Sequence, residues 1–201
     1  MKKEIYYATS NSGKFEEVKR FLEKHEANII VKQFDEDLPE IQTMDQKAIA
    51  IDKAKKAWAK LKKPVLIDDS GIYFDAYNKF PGTLTKFIYH GLGYEGLLKL
   101  VEDNTPTPRL RRTSNRATFL LHMIYTEKEN EHHTFEGQCN GQIIRPQKFD
   151  AHPKLPYDAI FLPDGSDGKT YAELRGTPEE KKFAYRLRAL QSFLKWYEAQ
   201  I

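Results

Sequence analysis

The first thirty-one residues constrain this chain most. Glu4-Ile5-Tyr6-Tyr7-Ala8 is rich in β-favouring side chains and reads as a short strand. It runs into Thr9-Ser10-Asn11-Ser12-Gly13-Lys14, a loop of small polar residues. Phe15, Val18, Phe21 and Leu22 then recur at helical spacing, and Ile29-Ile30-Val31 reads as a second strand. Strand, helix, strand in this order implies a parallel α/β unit. The loop between the first strand and its helix exposes backbone N–H groups at the positive end of a helix dipole, where anions bind. Lys14 adds a full charge there. The loop lacks the first glycine and final hydroxyl of a Walker A sequence. By itself it reads equally as a phosphate cradle or as an ordinary capped turn.

The rest of the chain extends the α/β pattern. Ala48 to Leu61 is expected to be a helix with Ile51, Ala54, Ala57, Trp58 and Leu61 on its buried stripe. Pro64 stops it, and Pro64-Val65-Leu66-Ile67 reads as a buried strand ending in Asp68-Asp69-Ser70-Gly71. Ile72 to Ala76 reads as its continuation as an edge strand, and about 82 to 102 as helical with a break near Gly91 and Gly93. Thr105-Pro106-Thr107-Pro108 is the clearest connector. Ala117 to Tyr125 and His133 to Ile144 read as neighbouring antiparallel strands. A last helix is expected from about Glu179 to Ala199, with Phe183, Leu187, Leu190, Leu194 and Tyr197 as its stripe. The expected fold is α/β: a mixed twisted sheet flanked by helices, one domain over 1–201, with two interleaved lobes and a central cleft.

Composition narrows the partners. A net charge of +3 across 201 residues carries no strong nucleic-acid footprint. Cys139 is the only cysteine, which excludes an intrachain disulfide and a thiolate zinc site and suits a reducing cytoplasm. The N-terminus has no apolar signal region, and no apolar run approaches a membrane span. His132-His133 has no companion at metal-ligand spacing, and Gly91-Leu92-Gly93 is no dinucleotide fingerprint. The basic cluster Arg109, Arg111, Arg112 and Arg116 reads as a solvated loop.

Three carboxylates stand out. Asp68 and Asp69 end a hydrophobic strand, where α/β sheets carry their sites, and adjacent residues on an extended chain point to opposite faces. Glu40, on the loop Asp37-Leu38-Pro39-Glu40, has its approach fixed by Pro39. Glu40 and Asp69 suit a pair of Mg²⁺ ligands, since that ion takes one or two carboxylates with waters and phosphates. Acidic residues also flank many loops, and Asp-Ser-Gly is an ordinary turn.

Taken together, these segments resemble the inosine triphosphate pyrophosphatase family, which acts on non-canonical purine nucleoside triphosphates. The loop Thr9 to Lys14 followed by Glu16-Glu17 is similar to the family's phosphate loop. So is Asp37-Leu38-Pro39-Glu40 followed by a helix carrying Lys53. Val65 to Gly71 is similar to its acidic motif, and Phe80-Pro81-Gly82 with Lys86-Phe87 to the stretch after it. Phe161 to Gly165 and Thr170 to Leu174 are similar to its C-terminal hairpin. The resemblance covers nearly the whole chain, in order.

It implies attack of water on the α-phosphorus of ITP, dITP or XTP, releasing pyrophosphate and a monophosphate, in a cytoplasmic homodimer. Mg²⁺ is the implied cofactor, held by Glu40 and Asp69. Asp69, Lys14 and Lys53 are the implied catalytic set, with Asp68 in support. Thr9, Ser10, Asn11, Ser12, Gly13, Lys14, Lys53, Ser70 and Lys86 would bind the substrate's phosphate end. Two motifs depart at the base end. Leu155-Pro156-Tyr157-Asp158 stands for aromatic-Gly-aromatic-Asp, and Ala184-Tyr185-Arg186 for Ser-His-Arg. Leu155, Tyr157, Asp158, Lys181, Tyr185 and Arg186 are the base-end expectations, with Arg186 donating to a purine 6-oxo group. These departures keep two alternatives open: a non-catalytic nucleotide-binding or regulatory homologue, and a pyrophosphatase for modified pyrimidine nucleotides.

Overall fold

The computed structural model describes residues 2–26, 28–78, 80–101, 115–146, 148 and 155–200. The Pro-rich connector at 105–108 and Arg109, Arg111 and Arg112 lie outside them.

Seven strands form one mixed sheet: β1 (Lys3–Ala8), β2 (Ile29–Phe34), β3 (Val65–Phe74), β4 (Phe80–Gly82), β5 (Arg116–Lys128), β6 (Glu131–Ile143) and β7 (Phe161–Pro163). The order is β2-β1-β3-β5-β6-β7, with β4 paired to β3. β1 runs parallel to β2 and to β3, with Tyr7 opposite Leu66, while β3–β4 and β6–β7 are antiparallel. Among the described residues five helices accompany the sheet: α1 (Ser12–His25), α2 (Gln46–Leu61), α3 (Thr85–Val101), α4 (Tyr171–Leu174) and α5 (Tyr185–Glu198).

Local chemistry sets the element ends. Asn11 caps α1, its side chain accepting from Lys14 N–H at 3.2 Å. Asp45 caps α2 by accepting from Ala48 N–H at 3.0 Å, and Lys62 ends that helix in the left-handed region. Thr170 and Glu173 form a reciprocal capping box on the single turn α4. Within α3, Gly93 adopts φ 59°, ψ −169°, which breaks the helix where the sequence placed a break.

Four expectations are corrected. β3 continues through Ile72–Phe74 as expected, but it ends at Phe74, and Asp75–Tyr77 forms a 3₁₀ turn instead of carrying the strand to Ala76. The buried face of α2 is carried by Gln46, Ile49, Ala50, Ala54 and Ala57, while Ile51, Trp58 and Leu61 are only partly buried. The last helix starts at Tyr185 rather than near Glu179. Pro178–Lys182 forms a 3₁₀ turn that Phe183 ends, because Pro178 fixes the first turn tightly. The C-terminal pair of motifs is a short strand, β7, followed by α4, not a hairpin.

The chain divides into two compact units. Unit 1 comprises residues 1–70, 121–137 and 186–201, and unit 2 residues 71–120 and 138–185. The core of unit 1 includes Ala8, Leu38, Ala50, Ala54, Ala57, Val65, Ile67 and Ile124, so small alanines let α2 approach the sheet closely. Unit 2 is built on aromatic rings. Phe119 meets Phe161 edge-on at 4.7 Å and stacks on Tyr185 at 5.1 Å.

Candidate active site

Unit 1 gathers the charged half of the expected site. Thr9 to Lys14 joins β1 to α1 as a cradle. Thr9 Oγ1 accepts from Asn11 N–H at 3.1 Å, and Asn11 carries the α1 cap. A Cβ at Gly13 would stand 3.3 Å from Asn11 Oδ1, so glycine leaves that cap undisturbed. The first-turn N–H groups of Ser12 and Gly13 have no acceptor within the helix, the ordinary condition of a helix start that favours an anion.

Two carboxylates at the end of the hydrophobic part of β3 divide the work, as alternation along a strand requires. Asp68 is buried. Its Oδ1 accepts from Lys14 Nζ at 3.2 Å and its Oδ2 from Arg186 Nε at 2.6 Å. Burial would raise its carboxyl, yet Lys14 and Arg186 hold it well below the usual carboxylate range. Arg186 Nη1 also donates to Glu17 at 2.8 Å. Asp69 faces a different set. Lys53 Nζ lies 3.6 Å from its Oδ1 and donates to Glu40 Oε1 at 2.7 Å. Burial leads in pushing Asp69 up to about 6, with Glu40 and Asp68 adding to it and Lys53 and Lys14 opposing. For Lys53, burial works against the charge, but the Glu40 hydrogen bond and Asp69 outweigh it and raise the ammonium.

The pairing around Lys53 bears on a cation. Glu40 and Asp69 direct oxygen atoms at one ammonium, so the chain presents two hard carboxylates to a single cationic position. This fits Mg²⁺, which takes one or two protein carboxylates and completes its shell with water and phosphate oxygens. Among the described residues no group of three or more His, Cys, Asp and Glu is poised to hold an ion.

Unit 2 holds the other expected residues, except Arg186. Tyr157 is buried, its hydroxyl donating to the Thr85 carbonyl at 2.9 Å. Asp158 is also buried and accepts from Arg175 Nε at 2.8 Å. Arg175 Nη1 donates to Glu180 at 2.9 Å, and its guanidinium lies 4.5 Å over the Tyr171 ring. Tyr185 is buried against Phe119. Leu155 is half-buried, and Lys86 and Lys181 are exposed.

Two participants escaped sequence reasoning, and a third, Glu17, was legible only as part of the phosphate-loop motif, without a role. Glu17 lies three residues after Lys14, on neighbouring positions of one helix face, so its spacing was a usable signal. Arg175 follows the short helix α4 outside any motif, and nothing in the sequence links it to Asp158. Tyr7 read only as a strand residue, although it is fully buried beside the Asp68 group.

The profile of the Ham1 family matches residues 5–196, and the chain belongs to that family. Among relatives, a dITP/XTP pyrophosphatase of Methanopyrus kandleri is 33% identical over 197 residues, covering 98% of this chain and 97% of that one. Inosine triphosphate pyrophosphatase 2 of Trypanosoma cruzi is 32% identical over 186 residues, covering 92% and 88%. The solved structure of the Staphylococcus aureus Ham1 protein has the same fold, with a TM-score of 0.77 at 24% identity over 99% of this chain and 100% of that one. A Ham1 protein from Coxiella burnetii also gives 0.77, at 25% identity over 98% and 99%.

Proposed function

We propose that this protein hydrolyses non-canonical purine nucleoside triphosphates, ITP, dITP and XTP, to the monophosphate and pyrophosphate with Mg²⁺. The observation that carries the proposal is the separation of roles on β3. Asp68 is held ionised by Lys14 and Arg186, while Asp69 shares Lys53 with Glu40. Family membership and relatives named for this activity support it.

Glu40 and Asp69 are the residues that would hold Mg²⁺. When bound there, the ion supplies charge neutralisation and orientation at the phosphate oxygens. Everything else falls to the chain's own groups. The N–H groups opening α1, with Thr9, Ser10, Asn11 and Ser12, bind phosphate oxygens. Lys14 and Lys53 neutralise the triphosphate, with Ser70 and Lys86 in the same substrate-binding set. The alternative role for Asp69, in place of holding the ion, is to take a proton from the attacking water. Positioning and electrostatics of this kind need no nucleophilic Ser or Cys.

At the base end, Tyr157, Asp158, Leu155, Lys181 and Tyr185 are proposed to shape the contact. The Tyr157 hydroxyl and the Asp158 carboxylate are already engaged, by the Thr85 carbonyl and by Arg175, which orders both for that contact. For Arg186, the bonds to Asp68 and Glu17 favour a role in ordering Asp68. We also propose a cytoplasmic homodimer. Phe87 is 69% exposed on α3, with Leu84 just before the helix and Leu92 on it also exposed, and such side chains suit a partner surface.

The test is a screen of purine and pyrimidine nucleoside triphosphates with Mg²⁺, scoring pyrophosphate and monophosphate. Turnover of ITP and XTP well above ATP is expected. Diphosphate and orthophosphate as main products, or binding with no turnover of any triphosphate, would overturn it.

A further inference from the structure

Tyr7 lies opposite Leu66 in the parallel pairing of β1 with β3. Asp68 is two residues beyond Leu66, and alternation puts both on one face of the sheet, so Tyr7 shares that face with Asp68. The ring is fully buried, and its hydroxyl makes no hydrogen bond among the described residues. It stands near enough that burial first, and then the Asp68 carboxylate through its charge and a hydrogen-bonding pull short of a formed bond, push the phenol well above its ordinary value, against Arg186. The phenol is therefore a protonated donor at neutral pH. A buried hydroxyl without a partner is destabilising and calls for an explanation.

Lys14 supplies one. Its ammonium occupies Asp68 Oδ1 at 3.2 Å, and it stands on the cradle proposed to bind phosphate. A triphosphate there draws that ammonium away, leaving a buried carboxylate oxygen without its donor. Arg186 stays on Oδ2.

We infer that Tyr7 is a positioning residue whose hydroxyl takes over Asp68 when Lys14 turns to the triphosphate. The hydroxyl lacks a partner in the free protein because Lys14 holds the place it later fills. The exchange keeps Asp68 ionised and fixed while releasing Lys14. The inference rests on the phosphate-binding reading of the loop only for its ligand. The competition between Tyr7 and Lys14 for Asp68 exists without one.

Two measurements separate these. In the free protein, urea unfolding is measured for Tyr7→Phe, Lys14→Met and the double variant. Tyr7→Phe alone should leave the midpoint unchanged or higher, since no hydrogen bond is lost. In the Lys14→Met background, where the hydroxyl already serves Asp68, the same change should lower the midpoint. Equal effects in both backgrounds overturn the inference, whatever the protein binds. In the second measurement, tripolyphosphate, a phosphate chain without a base, is titrated by calorimetry. Tyr7→Phe should weaken it on the order of tenfold, as expected for one hydrogen bond to a charged group. Binding unchanged by Tyr7→Phe overturns the inference. Wild-type protein that fails to bind tripolyphosphate overturns the phosphate reading instead, and the unfolding cycle still decides for Tyr7.

Discussion

Lys53 Nζ stands 3.6 Å from Asp69 Oδ1 while donating to Glu40 at 2.7 Å, so one ammonium holds two carboxylates that the sequence separates by a helix and half a strand. Asp69 sits in a crowded, largely buried position, where burial above all pushes its carboxyl up to about 6, against the pull of Lys53.

The first prediction follows from that crowding. A carboxyl whose folded value is raised above 3.8 contributes stability that is fully present below about 4. That contribution is lost as pH rises through about 6. At pH 7, without divalent cations, ionised Asp69 therefore costs the fold roughly 1–3 kcal/mol. Asp69→Asn should leave the metal-free protein at least as stable in urea while removing most activity, and Glu40→Gln should also remove most activity. In the wild type, protons compete for the same carboxylate, so apparent Mg²⁺ affinity should fall by about tenfold per pH unit below about 6. Near-normal turnover in either variant would show the metal is held elsewhere.

Arg186 gives a second. Its removal leaves buried Asp68 with Lys14 alone, and breaking a buried pair costs about 3–5 kcal/mol. Arg186→Met should therefore lower the unfolding midpoint and reduce turnover of ITP and ATP by similar factors. A folded variant of unchanged stability whose ITP-to-ATP ratio narrows would return Arg186 to base reading.

Exposed Phe87 gives the third. Light scattering on the wild type should report about twice the 23.4 kDa chain mass, and Phe87→Glu should shift it toward the monomer. A wild-type mass near that of one chain would contradict the homodimer.

Much of this arrangement was legible in the sequence because it depends on local signals. The strand–loop–helix opening, the Asn11 cap region, and Asp68 and Asp69 at the end of a hydrophobic run all follow from periodicity and turn chemistry. The helix break at Gly93 was legible for the same reason. What escaped depends on contacts distant in sequence. Arg175 meets Asp158 across seventeen residues and Arg186 meets Asp68 across 118, and neither pairing leaves a local trace. The late start of α5 was missed because Pro178 to Phe183 carries helical-looking spacing in a tighter turn. The α2 stripe was half legible: Ala54 and Ala57 are buried as expected, but Gln46, Ile49 and Ala50 complete the buried face while Ile51, Trp58 and Leu61 pack at its margin.

The most direct test of the central claim is the position of oxygen entry. Hydrolysis of ITP with Mg²⁺ in ¹⁸O-labelled water, followed by mass spectrometry of both products, reports which phosphorus is attacked. The geometry around Asp69, Lys14 and Lys53 is proposed to direct water at the α-phosphorus, so the label should appear in inosine monophosphate and be absent from pyrophosphate. Label in pyrophosphate, or in released orthophosphate, would contradict the account.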